Sequence, residues 1–351
     1  MPTSPKFISI IKPTAFRTLQ KAAATAATAN RIIPIDATWF MPNNPRNARS
    51  EFNEDQTLKK LITNNNGAPT ASAQFFDVDK WARDSPYPHM LPTQSIMNDA
   101  FQELGIHESD NLVVFDRVGN FSSPRVAFTL KLAGHGKVYL LDTYPNYVKK
   151  IESEEQEQEK EKQQGTESTP VSKATDSTTT APVDGEVNET HSPHSYEEIY
   201  DREVIEYEEL ITHIANKDIN NYLILDARSA DRFTGAAPEP RPGLSAGHIP
   251  TAKNLPFTKL LNVDANNEFK TKSEIESILT NDLGIDLTKL GKETSYYPSG
   301  IIVMCGTGVT ACILKLALEN IVKVNVPVKL YDGSWTEWAM RAPDEYIVKD
   351  V

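Results

Sequence analysis

The chain of 351 residues is poor in cysteine, holding only Cys305 and Cys312. Two cysteines cannot build a disulfide framework, and without a CxxC pair they offer no structural zinc site. Long hydrophobic runs are also missing. No stretch approaches the ~20 apolar residues that a membrane helix needs, so no membrane association is expected. Positive charge is in deficit, with 36 Lys and Arg against 48 Asp and Glu and a formal net charge of -12. That balance argues against nucleic acid as the ligand of the whole surface, and no direct nucleic-acid partner is expected. Neither a metal nor a cofactor is expected. The scarcity of cysteine suits a soluble protein of a reducing compartment, and the expected location is cytoplasmic.

One stretch departs from the acidic balance. Between Met1 and Ile35 stand Lys6, Lys12, Arg17, Lys21 and Arg31, no acid, and many Ala, Ser and Thr. This composition suits a mitochondrial transit peptide, which keeps a mitochondrial location open. The preferred reading is that "KFISIIKPTAFRTLQKAAA" is the first strand and helix of a folded domain.

From 151 to 197 the chain becomes rich in Glu, Gln, Ser, Thr and Lys and almost devoid of large apolar side chains. Such a segment buries too little surface to offset its ordering entropy, so it reads as an acidic low-complexity linker. Its first dozen residues can extend a charged helix. The linker divides the chain into 1–150 and 198–351, and the two halves echo each other. "IIPIDATWF" around Asp36 returns as "YLILDARSA" around Asp226, 190 residues later. "NLVVFDRVGN" sets Asp116 where "GIIVMCGTGV" sets Cys305, and "KVYLLDTYPNY" around Asp142 returns as "PVKLYDGSWTEW" around Asp332. Three strand-like runs at one offset point to a duplicated domain. The runs are short, continuously apolar and followed by helical patterns, which indicates α/β domains with buried parallel strands. Only the second copy carries a thiol at the end of its central run.

"CGTGVTA" lies where such a strand would pass into a helix, the end of the sheet at which ligands bind. Gly306 and Gly308 let the backbone curl so that successive N–H groups can gather around an anion. The positive end of the following helix adds to this. Both effects favour the thiolate of Cys305 and make it a nucleophile. Thr307 and Thr310 add hydroxyls, and Thr310 can equally be the helix N-cap. Cys312, among Ile313, Leu314 and Leu316, reads as a packing residue. A cysteine phosphatase would need an arginine six residues past its nucleophile, and that position is Ala311. Phosphate-ester hydrolysis is thereby disfavoured.

Together "CGTGVT", "YDGSWTEW" and "RFTGAAPEPRPGLSAGHIPTAKNLPF" resemble the two-domain rhodanese-type sulfurtransferases, in particular the 3-mercaptopyruvate sulfurtransferases. "DATWFMP", "FFDVDKWARDSPYPHMLP" and "SSPRVAF" extend the resemblance through the first half. Among fungal members the chain resembles those implicated in sulfur relay for tRNA wobble-uridine thiolation.

The resemblance implies two tandem rhodanese-like domains, each a parallel sheet flanked by helices, the first catalytically inactive. It also implies a Cys305 persulfide, formed from 3-mercaptopyruvate and passed to a thiol, a thioredoxin-like acceptor or sulfur-relay proteins of tRNA thiolation. Arg232 and Arg241 fall on substrate-arginine positions, and Gly306, Gly308, Val309 and Thr310 on the loop that receives the donor. Asp79, His89 and Thr307 fall on a proposed proton relay, where threonine replaces the family's serine and stiffens χ1. Arg228 reads as structural and His248 as a turn anchor. Thiosulfate-using relatives resemble C-R-K-G-V-T at this loop, whereas Gly306 and Thr307 leave it neutral here, which favours the monoanionic mercaptopyruvate. Thiosulfate transfer is the alternative activity, and a role chiefly as a protein-to-protein sulfur carrier is a second one. "TNNNGAPTASAQFF" and "LLDTYPNYVKK" depart from the family's usual stretches at corresponding places.

Overall fold

A computed structural model describes residues 8–25, 31–61, 72–164, 195–294 and 296–351. Two five-stranded parallel sheets organise it. The first contains β1 (Ile8–Ile11), β2 (Ile32–Asp36), β3 (Gln74–Phe75), β4 (Asn111–Phe115) and β5 (Val138–Leu141), in spatial order β1-β5-β4-β2-β3. The second sheet starts with β6 (Val204–Ile205), β7 (Tyr222–Asp226) and β8 (Lys253–Asn254). After a small antiparallel pair, β9 (Leu261–Asn262) and β10 (Glu268–Phe269), it is completed by β11 (Gly300–Met304) and β12 (Val328–Tyr331). Its order, β6-β12-β11-β7-β8, repeats that of the first sheet. The expected duplicated α/β architecture is observed, and the three echoing runs are the pairs β2/β7, β4/β11 and β5/β12.

Alternation along the strands assigns the faces. In the first sheet Ile33, Ile35, Leu112 and Val114 join the central core, while Val113 and Phe115 turn outward onto Phe16, Tyr144 and Tyr147. In the second sheet Leu223, Leu225, Ile301 and Val303 join the same central core. Ile224, Ile302 and Met304 turn outward onto Leu210, Trp335 and Trp338. One apolar layer is therefore shared by both domains, and the helix Ser123–Leu132 lies in it beside the helix Ala311–Leu316. Each large aliphatic side chain buried there contributes about 1.5–3 kcal/mol, so the two halves are held as one body.

The N-terminal stretch is built into the first domain from Ile8 onward. β1 pairs in parallel with β5, and Phe16 on the helix Pro13–Thr25 is fully buried. The helix Tyr144–Gln164 leaves β5 and runs on into the acidic bridge. The rest of the bridge up to 194 lies outside the described residues, as does most of the "TNNNGAPTASAQFF" departure. The chain re-enters through the helix Tyr196–Glu203, fixed by a Ser195/Glu198 capping box. Among the described residues, no helix is long and apolar enough to cross a membrane.

Candidate active site

Cys305 follows directly on β11, and the strand's alternation turns it with Ile301 and Val303 toward the first domain. Its exposure is 2%. The loop carbonyls are tied down from outside. Cys305 O accepts from the Trp335 N–H at 3.0 Å, and Gly306 O from the Thr336 N–H at 3.0 Å and hydroxyl at 2.8 Å. Gly308 O accepts from Arg125 Nη1 at 3.3 Å. Carbonyl and N–H point opposite ways across a trans peptide. The N–H groups of Gly306, Thr307 and Val309 therefore face away from these partners, on the loop's other side. Gly308 has φ +77°, and a Cβ there would stand 2.7 Å from Asp332 O, so glycine alone fits.

The equivalent loop of the first domain shows what this curl can hold. The Asp116 carboxylate accepts the N–H groups of Val118, Gly119, Phe121, Ser122 and Ser123, and the Ser123 hydroxyl, at 2.7–3.0 Å. The first copy is an anion nest filled by its own side chain. The second offers the same turn to whatever negative charge Cys305 carries.

Arg232 sits on the short helix Ala230–Thr234, which follows β7. Its Nη2 lies 3.1 Å from where a Gly306 Cβ would stand, which brings it against the cysteine loop. Glu239 grips it with both oxygens, from Nε at 3.1 Å and Nη2 at 2.6 Å. Arg241 is half-buried within reach of Arg232, Glu239, Cys305 and Asp79. Burial, then the like charge of Arg232, pushes its guanidinium below the ordinary arginine value, while Glu239, Cys305 and Asp79 oppose the shift. It remains a cation at any ordinary pH.

Asp79 and His89 come from the first domain. His89 Nδ1 meets Asp79 Oδ1 at 2.5 Å, and Trp39 Nε1 donates to Asp79 Oδ2 at 3.0 Å. The hydrogen bond from His89 is the main reason the Asp79 carboxyl lies below its ordinary value, and Arg241 adds to it. His89 Nε2 is buried with no hydrogen-bond partner among the described residues. One guanidinium links the two halves of the site. Fully buried Arg125 donates to His89 O and Asp332 Oδ1, each at 2.6 Å, as well as to Gly308 O. Asp332 Oδ2 in turn accepts the Leu91 N–H at 2.8 Å. Asp79, His89, Arg232, Arg241 and the 305–310 loop thus converge at the domain seam, with Thr307 buried at 9% exposure.

Other expectations separate from the site. Arg228 is buried, bonded to Asp226, Glu239 and Gly247 O, as a structural arginine should be. His248 anchors its turn through Phe233 O at 3.0 Å and stacks on Phe233. Cys312 is fully buried, and burial raises its thiol to about 12, so it packs and does not react. Thr310 stands at the N-cap position, as one of its two readings has it, but its side chain makes no capping bond. The sequence reading missed Trp39, Arg125, Glu239 and Asp332 as site residues. All four lie within the stretches "DATWFMP", "SSPRVAF", "APEPRPG" and "YDGSW" that carry the repeat or the family resemblance.

Residues 206–341 match the family model of the rhodanese-like domain. Thiosulfate sulfurtransferase TUM1 of Saccharomyces cerevisiae is 34% identical over 350 residues, 97% of this chain and 98% of that protein. The chain belongs to the rhodanese-type sulfurtransferases. The crystal structure of yeast Tum1 superposes with a TM-score of 0.66 and 31% identity, covering 99% of both chains. The 3-mercaptopyruvate sulfurtransferase of Mus musculus is 32% identical, over 90% of this chain and 88% of its own. The sub-stoichiometric sulfur transferase subunit of yeast mitochondrial complex I is 30% identical, with a TM-score of 0.63 and coverage of 98% and 100%.

Proposed function

We propose that this sulfurtransferase takes sulfur from 3-mercaptopyruvate onto Cys305 and gives it to a second thiol. The observation that carries this reading is the neutral Cys305 loop with its two arginines set outside it. The Cys305 thiolate attacks the donor's sulfur, forming an S–S bond, and the donor's C–S bond breaks. The electron pair leaves on carbon as pyruvate enolate, which takes up a proton to become pyruvate. An acceptor thiolate then attacks the outer sulfur, leaving as a persulfide and restoring the Cys305 thiolate. The covalent intermediate splits one transfer into two easier steps.

Arg232 and Arg241 bind the donor's carboxylate, where guanidinium geometry suits bidentate contact. Gly306, Gly308, Val309 and Thr310 form the cradle for the persulfide. Asp79 orients His89, and His89 with the Thr307 hydroxyl delivers the proton to the enolate. The first domain, with Asp116 in its own nest, performs no transfer and completes the site through Asp79 and His89. The acceptor is a protein or small thiol, and the fungal resemblance favours thioredoxin-like proteins and the sulfur relay of tRNA wobble-uridine thiolation. A cytoplasmic site of action fits that relay. The yeast complex I subunit, described as mitochondrial, supports a mitochondrial pool as well.

Thiosulfate transfer is the second reading, favoured by the activity for which the 34% identical yeast relative is named. Side-by-side turnover of 3-mercaptopyruvate and thiosulfate decides between them. A kcat/KM at least about tenfold higher for mercaptopyruvate is expected, and equal or better use of thiosulfate would overturn the donor assignment.

A further inference from the structure

We infer that Glu239 sets the charge of the donor that the site accepts, restricting it to monoanions. This rests on the donor pocket proposed above. Glu239 is 3% exposed and lies between two guanidiniums, accepting from Arg228 Nη1 at 2.8 Å and from Arg232 Nε and Nη2. The charge of Arg228 is already matched, because Asp226 takes its Nη2 at 2.6 Å and its Nε through both oxygens. The charge of Glu239 is therefore set against Arg232. Arg241 stands beside them, and Asp79, the other carboxylate in its reach, is already engaged by His89 Nδ1 and Trp39 Nε1, so the anion-binding pair presents two positive charges against the one negative charge of Glu239. The balance is a single cation, enough for one carboxylate. A dianion would bring a second negative charge beside a carboxylate that is too buried to be screened by water. The loop adds no cation of its own, since Gly306 and Thr307 are neutral. Glu239 also holds Arg232 through Nε and Nη2, which fixes the guanidinium and leaves its Nη1–Nη2 edge for the donor. Glu239 is thus a specificity-determining residue that acts through Arg232 and through its own charge.

Methanethiosulfonate has the shape of thiosulfate with one anionic oxygen replaced by a methyl group. The two compounds therefore differ mainly by one charge. Each is measured as an inhibitor of pyruvate release from 3-mercaptopyruvate, in the wild-type protein, Glu239→Gln and Glu239→Asp. The wild type should bind methanethiosulfonate about tenfold or more tightly than thiosulfate, as one buried unit charge dictates. Glu239→Gln keeps the length and an acceptor oxygen but removes the charge, and should erase most of that gap. Glu239→Asp keeps the charge but shortens the reach, and should weaken both compounds while preserving their ratio. No gap in the wild type, an unchanged gap in Glu239→Gln, or an equal shift in both variants overturns the inference. The wild-type comparison stands even if Glu239→Gln does not fold. If no pyruvate forms, the donor reading has failed by itself. The same ratio is then read from the release of sulfite and of methanesulfinate, with the same outcomes deciding on Glu239.

Discussion

Replacing Arg125 with methionine removes a buried first-domain cation that donates to the Cys305 loop at Gly308 O. Arg125 and Asp332 are 2% and 0% exposed, and their contact is 2.6 Å. Burial opposes the charge of the Arg125 guanidinium, yet Asp332 holds it above its ordinary value. Breaking a buried pair by deleting one partner costs about 3–5 kcal/mol when the other charge is left uncompensated, and Arg83 Nη2, 4.0 Å from Asp332 Oδ2, sets the cost here toward the lower end. The carbonyls of His89 and Gly308 lose a donor in the same step. Against a typical domain stability of about 5–15 kcal/mol, the variant should still fold at low temperature but unfold at a clearly lower urea concentration. Tryptophan fluorescence reports this, since Trp335 and Trp338 are fully buried. Adding Asp332→Asn removes the stranded charge while leaving an acceptor for the Leu91 N–H. The double variant should therefore recover part of the loss. Turnover should fall about tenfold or more in Arg125→Met, because the freed Gly308 carbonyl no longer fixes the loop. A single variant within about 1 kcal/mol of wild type, or a double variant no more stable than the single one, would refute the reasoning.

Two further outcomes follow from individual groups. Arg241→Ala should raise the mercaptopyruvate KM by about thirtyfold or more through loss of a charge-assisted contact, with Arg241→Lys recovering part of it. An unchanged KM would remove Arg241 from the donor site. His135 is buried, and its imidazole is pushed from 6.5 down to about 4, first by burial and then by the charge of Lys131. As pH falls below 6.5 the unfolded chain takes up a proton that the folded one refuses, so stability is lost between about pH 6.5 and pH 4. The loss reaches about 2 kcal/mol at pH 5. Urea midpoints of His135→Gln should lack that slope, and identical pH profiles for variant and wild type would contradict it.

The repeat and the nucleophile were legible because both are local in the chain. Five-residue apolar runs betray β2, β4, β7 and β11, and two glycines within four residues of a cysteine betray a curled loop. β3 and β8 were not legible, because two-residue strands carry no period. Arg125 escaped for another reason: its partner Asp332 lies 207 residues away, and only the packing of one domain on the other brings them together. The role of Glu239 also depends on the fold, since sequence shows it near Arg241 but not between Arg228 and Arg232. Asp116 was recognised as the counterpart of Cys305, yet only the folded loop reveals that its carboxylate fills the nest.

The most direct test of the account is peptide mass mapping after the protein meets 3-mercaptopyruvate with no acceptor thiol present. The account predicts one additional sulfur atom on Cys305 itself, located by fragment-ion sequencing of the peptide that carries both cysteines, with released pyruvate in equal amount and neither in Cys305→Ser. An additional sulfur on Cys312, or pyruvate release that persists in Cys305→Ser, would contradict it.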